Sequence, residues 1–338
     1  MNKLNRIFVL FSMALSVFSI TPAIYAEENP AGEIEFYTSM NEGWAYELVD
    51  LFNTKYPEIT VNIYRSGSEE VLSKINAENE GGKVIADVLM VADSVNLESL
   101  KEKDLLLSYE SNENAHIDPK FIDKDNMYTG TKFQWTGIAY NTEKVKEAPS
   151  SWFDLTSEIS KDEVVMPSPL YSGVAAYNLG TFTNDERFGW DFYEALSSNG
   201  IDIVQGNGGV VESVSTGENK YGMVVSHDVL AAKESGSPID VVFPEEGVPV
   251  TTEPIAIINS TEEEELCKLF VDFVLSVQGQ EFIASKGITP IRSDIDAPLG
   301  MISPKDLQEE QIIISDPVKL LAKAEDVKIK FSEIFNVE

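Results

Sequence analysis

Hydroxyls, glycines and a few ionisable side chains gather where this chain is expected to pass from strand to helix. Ser39 follows the strand pattern Glu33–Tyr37, Ser66-Gly67-Ser68 follows Thr60–Tyr64, and Asp93 follows Ala86–Val91. Strand, polar turn and helix start recur three times before residue 100. That arrangement collects free backbone N–H groups at one edge of a sheet, where anions bind well. Together Ser39, Ser66, Gly67, Ser68 and Asp93 predict a cradle for an anionic group, made of hydroxyls and amides rather than of full positive charge. Ordinary helix capping calls for the same residue types. Arg65 either adds charge or faces solvent. Gly206-Asn207-Gly208-Gly209 reads as a turn with the backbone freedom for close approach to a ligand, which makes Asn207 a further candidate. Ser226-His227-Asp228 closes the strand Gly222–Val225. Here His227 can donate to an anionic oxygen, and Asp228 can accept from a hydroxyl or an amine. The plainer use of Asp228 is to cap a helix over Val229–Lys233.

Other chemistries find little to work with. His116 and His227 are the only histidines, and His116 sits in a polar loop read as surface. Cys267 is alone, so no intramolecular disulfide forms; its apolar helical surroundings predict a buried structural thiol. No C-x-x-C, H-E-x-x-H, phosphate-loop or G-x-S-x-G motif is present. A hydrolase built on His227 and Asp228 is weakly supported, because no nucleophile motif accompanies the pair. We therefore expect a non-enzymatic protein with no catalytic residue, metal ligand or cofactor. Lys3 and Arg6 before the apolar run Ile7–Ile20, then Ala23-Ile24-Tyr25-Ala26, have the layout of a cleaved secretory signal over residues 1–26. With no cysteine at that junction, a soluble, periplasmic and not lipid-anchored protein is expected. The remaining chain has 23 basic against 57 acidic residues, a formal charge of −34. Nucleic acid and anionic membranes are poor partners for it.

The elements that must position these residues alternate between strand and helix, which predicts an α/β fold. Three strand–turn–helix units lie before residue 100. Thr136–Asn141 then leaves the first lobe, and residues to about 248 carry an α/β pattern of their own: Val164–Met166, a helix after Ser172-Gly173, an aromatic helix around Trp190–Leu196, and Gly222–Val225. Thr252–Ile258 returns the chain, helices bearing Leu266, Phe270, Phe273 and Val277 follow, and Asp316-Pro317 begins a final one. The expected division is a discontinuous first lobe, 27–140 with 249–338, and a second lobe, 141–248. Two crossing strands would leave a ligand cleft between them, with Trp135 either lining it or buried in the hinge.

In order and spacing these pieces resemble the periplasmic solute-binding proteins of ABC importers, in the branch of ferric-iron, phosphonate and sugar-phosphate binders. The resemblance spans nearly the whole chain after the signal. It rests on Tyr37-Thr38-Ser39 with Glu42, Ala86-Asp87-Val88 with Asp93, Gly137–Asn141, Pro167-Ser168-Pro169 with Ser172-Gly173, Gly222–Asp228, and Phe273–Ser276 leading to Gly279-Gln280-Glu281. It implies a type II-like two-lobed fold that closes like a hinged trap. It also implies that Ser172 and Gly173 face the cleft. Ferric-binding relatives place adjacent tyrosines where this chain has Ser226-His227-Asp228, and Tyr171, Tyr177, Tyr193 and Tyr221 are isolated here. A His-Asp pair followed by Glu245, Glu246 or Glu253 resembles instead the binders of phosphorylated organic solutes. The implied function is capture of a sugar phosphate or phosphonate by a monomer and its delivery to an inner-membrane permease, with ferric iron as the alternative ligand. A chemoreceptor or sensor partner would use the same binding event.

Overall fold

A computed structural model describes residues 30–301 and 312–337; the expected signal peptide falls outside them. The chain opens with β1 (Gly32–Thr38), α1 (Glu42–Lys55), β2 (Ile59–Arg65), α2 (Ser68–Glu80), β3 (Val88–Met90), α3 (Ser94–Lys101) and the short β4 (Leu106–Leu107). The long strand β5 (Thr129–Asn141) leads to β6 (Val164–Pro167), α4 (Gly173–Asn184), α5 (Gly189–Ser198), β7 (Asp202–Val204), α6 (Asn207–Thr216), β8 (Tyr221–Val225), α7 (Ser226–Glu234) and β9 (Ile239–Val242). A second long strand, β10 (Val248–Ile258), returns the chain to α8 (Glu264–Leu275), α9 (Val277–Ser285) and β11 (Thr289–Pro290). Then come β12 (Ile312–Ile313), α10 (Pro317–Leu321) and α11 (Ala324–Phe335).

Alternation of side chains explains the first sheet. Ile34 and Phe36 of β1 are fully buried, and Phe36 meets Phe270 of α8 with ring centroids 5.0 Å apart. The apolar stripe of α1 brings Phe52 against Phe270 and Phe273 at 5.1 and 5.4 Å. Each such ring contributes roughly 1.5–3 kcal/mol by leaving water. The second lobe has its own aromatic centre, where Phe182 contacts Trp152, Phe188 and Phe192. Cys267 is buried in the first core, as its apolar setting predicts.

The strand order β2-β1-β3-β10-β5-β8-β6-β7 runs through both lobes. Strand β5 is the link: Thr129–Trp135 pairs antiparallel with β10, and Thr136–Tyr140 pairs antiparallel with β8. Trp135 is fully buried at this changeover, and its Nε1 donates to Thr289 Oγ1 at 3.1 Å. It packs in the hinge and does not line the cleft. The β5–β10 ladder carries one irregularity. Thr252 faces Phe133 and Pro254 faces Gly130, so Thr131 and Lys132 together oppose the single residue Glu253. A bulge of this kind re-aims side chains, and a proline in a strand interior is tolerated beside one. At the chain's end, Phe331 of α11 is fully buried and the helix packs on α4 and α5.

Candidate functional site

Between the lobes lies a cavity of about 550 Å³, large enough for a sugar-sized solute. Helix starts surround it. Asn41, whose side chain caps α1, and Ser172, which caps α4 by accepting from Ala175 N at 3.4 Å, both line its wall. Three more helices begin there without any side-chain cap: α2 after Gly67, α6 after Gly206 and α7 after Val225. The first-turn amides of a helix have no intrahelical acceptor, and the helix dipole adds partial positive charge at that end. Helix starts of this kind offer amides and partial positive charge to whatever occupies the space, although the Glu69 amide of α2 already donates to Tyr171 O at 3.4 Å.

The floor is formed by the bulge. Lys132 Nζ lies 3.0 Å from Glu253 Oε2, and both side chains are about 2% exposed. That carboxylate oxygen also accepts from Gln134 Nε2 at 2.8 Å, while Thr251 Oγ1 donates to Gln134 Oε1 at 3.2 Å. The valences are left incomplete. Among the described residues, Lys132 Nζ makes no aligned hydrogen bond, and Glu253 Oε1, His227 Nδ1 and Asn207 Oδ1 are buried without a partner. Burial holds the Lys132 ammonium below its ordinary range, partly offset by Glu253. Burial likewise pulls the His227 imidazole down, against the opposing pull of Asp228, so the ring is neutral near pH 7. His227 Nε2 is 3.7 Å from Asp228 Oδ1, too far for a hydrogen bond, and the ring packs 6.0 Å from that of Trp44. Buried polar atoms without partners are costly in a folded protein. Four residues with such atoms, Lys132, Glu253, His227 and Asn207, line this one cavity.

Ser39, Gly67, Ser68, Ser172, Gly173, Asn207, His227, Asp228 and Glu253 all line this cavity. Ser66 and Asp93 do not. The Ser66 hydroxyl turns out to the Glu70 carboxylate, because the helix starts one residue after Gly67 and carries Ser68, not Ser66, inward. Asp93 caps α3, accepting from Asn96 N at 2.9 Å and Asn96 Nδ2 at 2.8 Å, and it borders a separate cavity of about 320 Å³. Burial first, then the nearby Glu69, pushes its carboxyl up to about 7. The expected glycine-rich turn is instead the first turn of α6, which starts at Asn207, and His227-Asp228 belongs to the first turn of α7. His116 is half exposed beside Asp294, 3.3 Å away, as a surface loop residue would be.

Among the cavity residues that sequence reasoning missed, which include Asn41, Trp44 and Gln205, Lys132 and Gln134 form the floor. Their strand was read only from Thr136 onward. The alternation Thr131-Lys132-Phe133-Gln134-Trp135 continues it upstream, and Glu253-Pro254 inside a strand signals the opposing irregularity.

Two α/β lobes joined through long antiparallel strands, with a polar cavity enclosed between them, define a protein that holds a small solute by surrounding it. The chain belongs to the bacterial extracellular solute-binding protein family, whose profile matches residues 83–304. This is a family of transport binding proteins, and relatives serve ABC importers from the periplasm. A periplasmic protein of Salmonella typhimurium named for binding 2-aminoethylphosphonate is 25% identical over 313 residues, 87% of this chain and 86% of that one. The periplasmic binding protein AfuA of Actinobacillus pleuropneumoniae, solved with fructose-6-phosphate bound, superposes with a TM-score of 0.82 at 25% identity. That match covers 91% of this chain and 99% of the other. Iron-bound HitA of Pseudomonas aeruginosa shares the fold at 21% identity, with a TM-score of 0.78 over 89% of this chain and 99% of that one.

Proposed function

We propose that this protein captures a small phosphorylated organic solute, a sugar phosphate or a phosphonate, and delivers it to an inner-membrane ABC permease. The observation that carries this reading is the convergence of the uncapped N-termini of α2, α6 and α7 on one cavity. A phosphoryl or phosphonyl group satisfies several such amides at once, and Lys132 on the floor adds charge. The partnerless Glu253 Oε1, with Asp228 opposite, suits the hydroxyls or amine of the organic part. Ligands of this class appear in the name of one relative, 2-aminoethylphosphonate, and in the solved structure of another, fructose-6-phosphate in AfuA. Closure hinges where β5 passes from β10 to β8, near Trp135–Thr136.

Ferric iron is less well served by these donors. Among the described residues, Asp228 and Glu253 are the only carboxylates lining the cavity, and one of the two Glu253 oxygens is already engaged by Lys132 and Gln134. A hard trivalent cation calls for several free anionic oxygens.

The test is a thermal-shift series on the mature chain with fructose 6-phosphate, 2-aminoethylphosphonate, inorganic phosphate and ferric citrate. A ligand bound only by the folded state raises the midpoint by mass action. A rise with an organic phosphate or phosphonate is expected. A rise with ferric citrate alone would replace this reading with metal capture.

A further inference from the structure

Gly67 and Gly173 stand on opposite sides of the seam where the lobes touch. Gly67 precedes α2 in the first lobe, and Gly173 opens α4 in the second. Neither residue needs glycine for its own backbone. Gly67 has φ −63° and ψ 152°, open to any residue, and Gly173 lies outside the left-handed region. What both positions lack is room. A Cβ at 67 would fall 2.6–2.8 Å from atoms of the Tyr171 ring. A Cβ at 173 would fall 2.6 Å from Asp93 Oδ2 and 2.8 Å from Ser68 Oγ. These separations are well inside van der Waals contact, and in each case the obstructing atoms belong to the other lobe. The seam also holds a backbone hydrogen bond, from Glu69 N–H to Tyr171 O at 3.4 Å, and an ion pair between Glu69 and Lys328 of α11, the helix that packs on α4 and α5 of the second lobe rather than on the first.

We propose that Gly67 and Gly173 form a steric gate for closure: their missing side chains let the lobes seal over the cavity, and a methyl at 173 holds the protein open. This rests on the capture reading above. The two positions differ in stiffness. Tyr171 meets Gly67 with the outer end of a half-buried ring, which can swing aside. The atoms facing Gly173 are fixed. Asp93 is tied to α3 by its cap, and Ser68 Oγ donates to Ser39 Oγ at 3.0 Å and accepts from Ala92 N at 3.3 Å. Gly173→Ala should therefore have the larger effect, with Gly67→Ala milder.

Folding is not the obstacle. Gly173 is the first residue of α4 and its backbone is open to any residue, so the open form of Gly173→Ala should be about as stable as the parent. The test uses the mature chain with 2-aminoethylphosphonate and fructose 6-phosphate as probes, reading affinity by calorimetry and radius of gyration by small-angle scattering. Gly173→Ala is expected to keep its probe-free thermal midpoint, to lose at least tenfold in affinity for the probe the parent binds, and to stay expanded when that probe is added. Gly67→Ala should weaken binding less, and should cost nothing further in a Tyr171→Ala background, where the obstructing ring is gone. Parental affinity together with parental compaction in Gly173→Ala overturns the gate.

If neither probe shifts the parent, the capture reading loses its support, and the gate is judged without ligand. The Glu69 amide sits in the first turn of α2, where no intrahelical acceptor exists, so its protection depends on the Tyr171 carbonyl across the seam. Slower hydrogen exchange at this amide in the parent than in Gly173→Ala supports the gate. Equal rates overturn it.

Discussion

Lys132 and Arg292 are equally hidden, at 1% and 2% exposure, and they are surrounded in opposite ways. Arg292 has its fork filled. Nε and Nη2 donate to the two oxygens of Asp294 at 2.8 and 2.9 Å, and Nη1 donates to Glu113 and to Leu275 O. Lys132 has one carboxylate oxygen at 3.0 Å, shared with Gln134, and no aligned hydrogen bond. Both are buried cations, which cost several kcal/mol to desolvate unless partners compensate. The clamp at Arg292 is complete within the protein, so it ties the segment after β11 to the loop at Glu113 and to the end of α8. On the capture reading, the floor at Lys132 is completed by the bound solute. Unfilled valence separates the binding region from structural ion pairs, where burial alone would not.

The sharpest way to break this contrast is to remove the floor pair together. Lys132→Met with Glu253→Gln should lower affinity for an organic phosphate or phosphonate at least a hundredfold by calorimetry. Its probe-free midpoint should hold or rise, because replacing a whole buried ion pair is often neutral or stabilising. His227→Ala with Asp228→Ala should likewise abolish tight binding and leave the probe-free midpoint nearly unchanged; a large loss of probe-free stability with binding retained would make that pair structural. Arg292→Ala should do the reverse. It should cost about 1–3 kcal/mol in denaturant unfolding, mainly through the lost packing of the buried guanidinium and the Leu275 carbonyl left without its donor, since Glu113 and Asp294 can turn to solvent, while the folded fraction binds with parental affinity.

A further effect sharpens the contrast through pH. The Asp93 carboxyl is pushed up to about 7 by burial, above its ordinary carboxylate range in the unfolded chain. Between those values the folded state binds the extra proton, so stability increases as pH falls through 7 and levels off below about pH 4. Asp93→Asn keeps a capping oxygen and removes this cost. Its advantage in unfolding free energy should be full at pH 8, on the order of 4 kcal/mol, and should fade as the pH is lowered toward 4. An advantage independent of pH would show that Asp93 carries no such proton.

Much of the architecture is legible because apolar residues repeat with the period of the element they occupy. Ile34 and Phe36 alternate with Glu33 and Glu35, and Leu48 and Phe52 share the buried face of α1. The ends of elements are harder to read. Ser66 and Ser68 differ only in helix phase, and a one-residue difference in where α2 begins decides which of them faces inward. Gly206–Gly209 has the composition of a turn, yet it opens a helix whose uncapped amides serve the cavity. The floor was the least legible part. Lys132 meets Glu253 only through the register of two strands more than a hundred residues apart, shifted by one bulge. Local pattern gives no account of such a pairing, although Glu253-Pro254 within an apolar run hints at the irregularity.

The most direct measurement is a crystal structure of the mature protein with whichever organic phosphate or phosphonate gives the largest thermal shift. The account predicts phosphorus at the converging N-termini of α2, α6 and α7, and the organic part toward Glu253 and Asp228. Phosphorus bound elsewhere, or a metal ion held between Asp228 and Glu253, would contradict it.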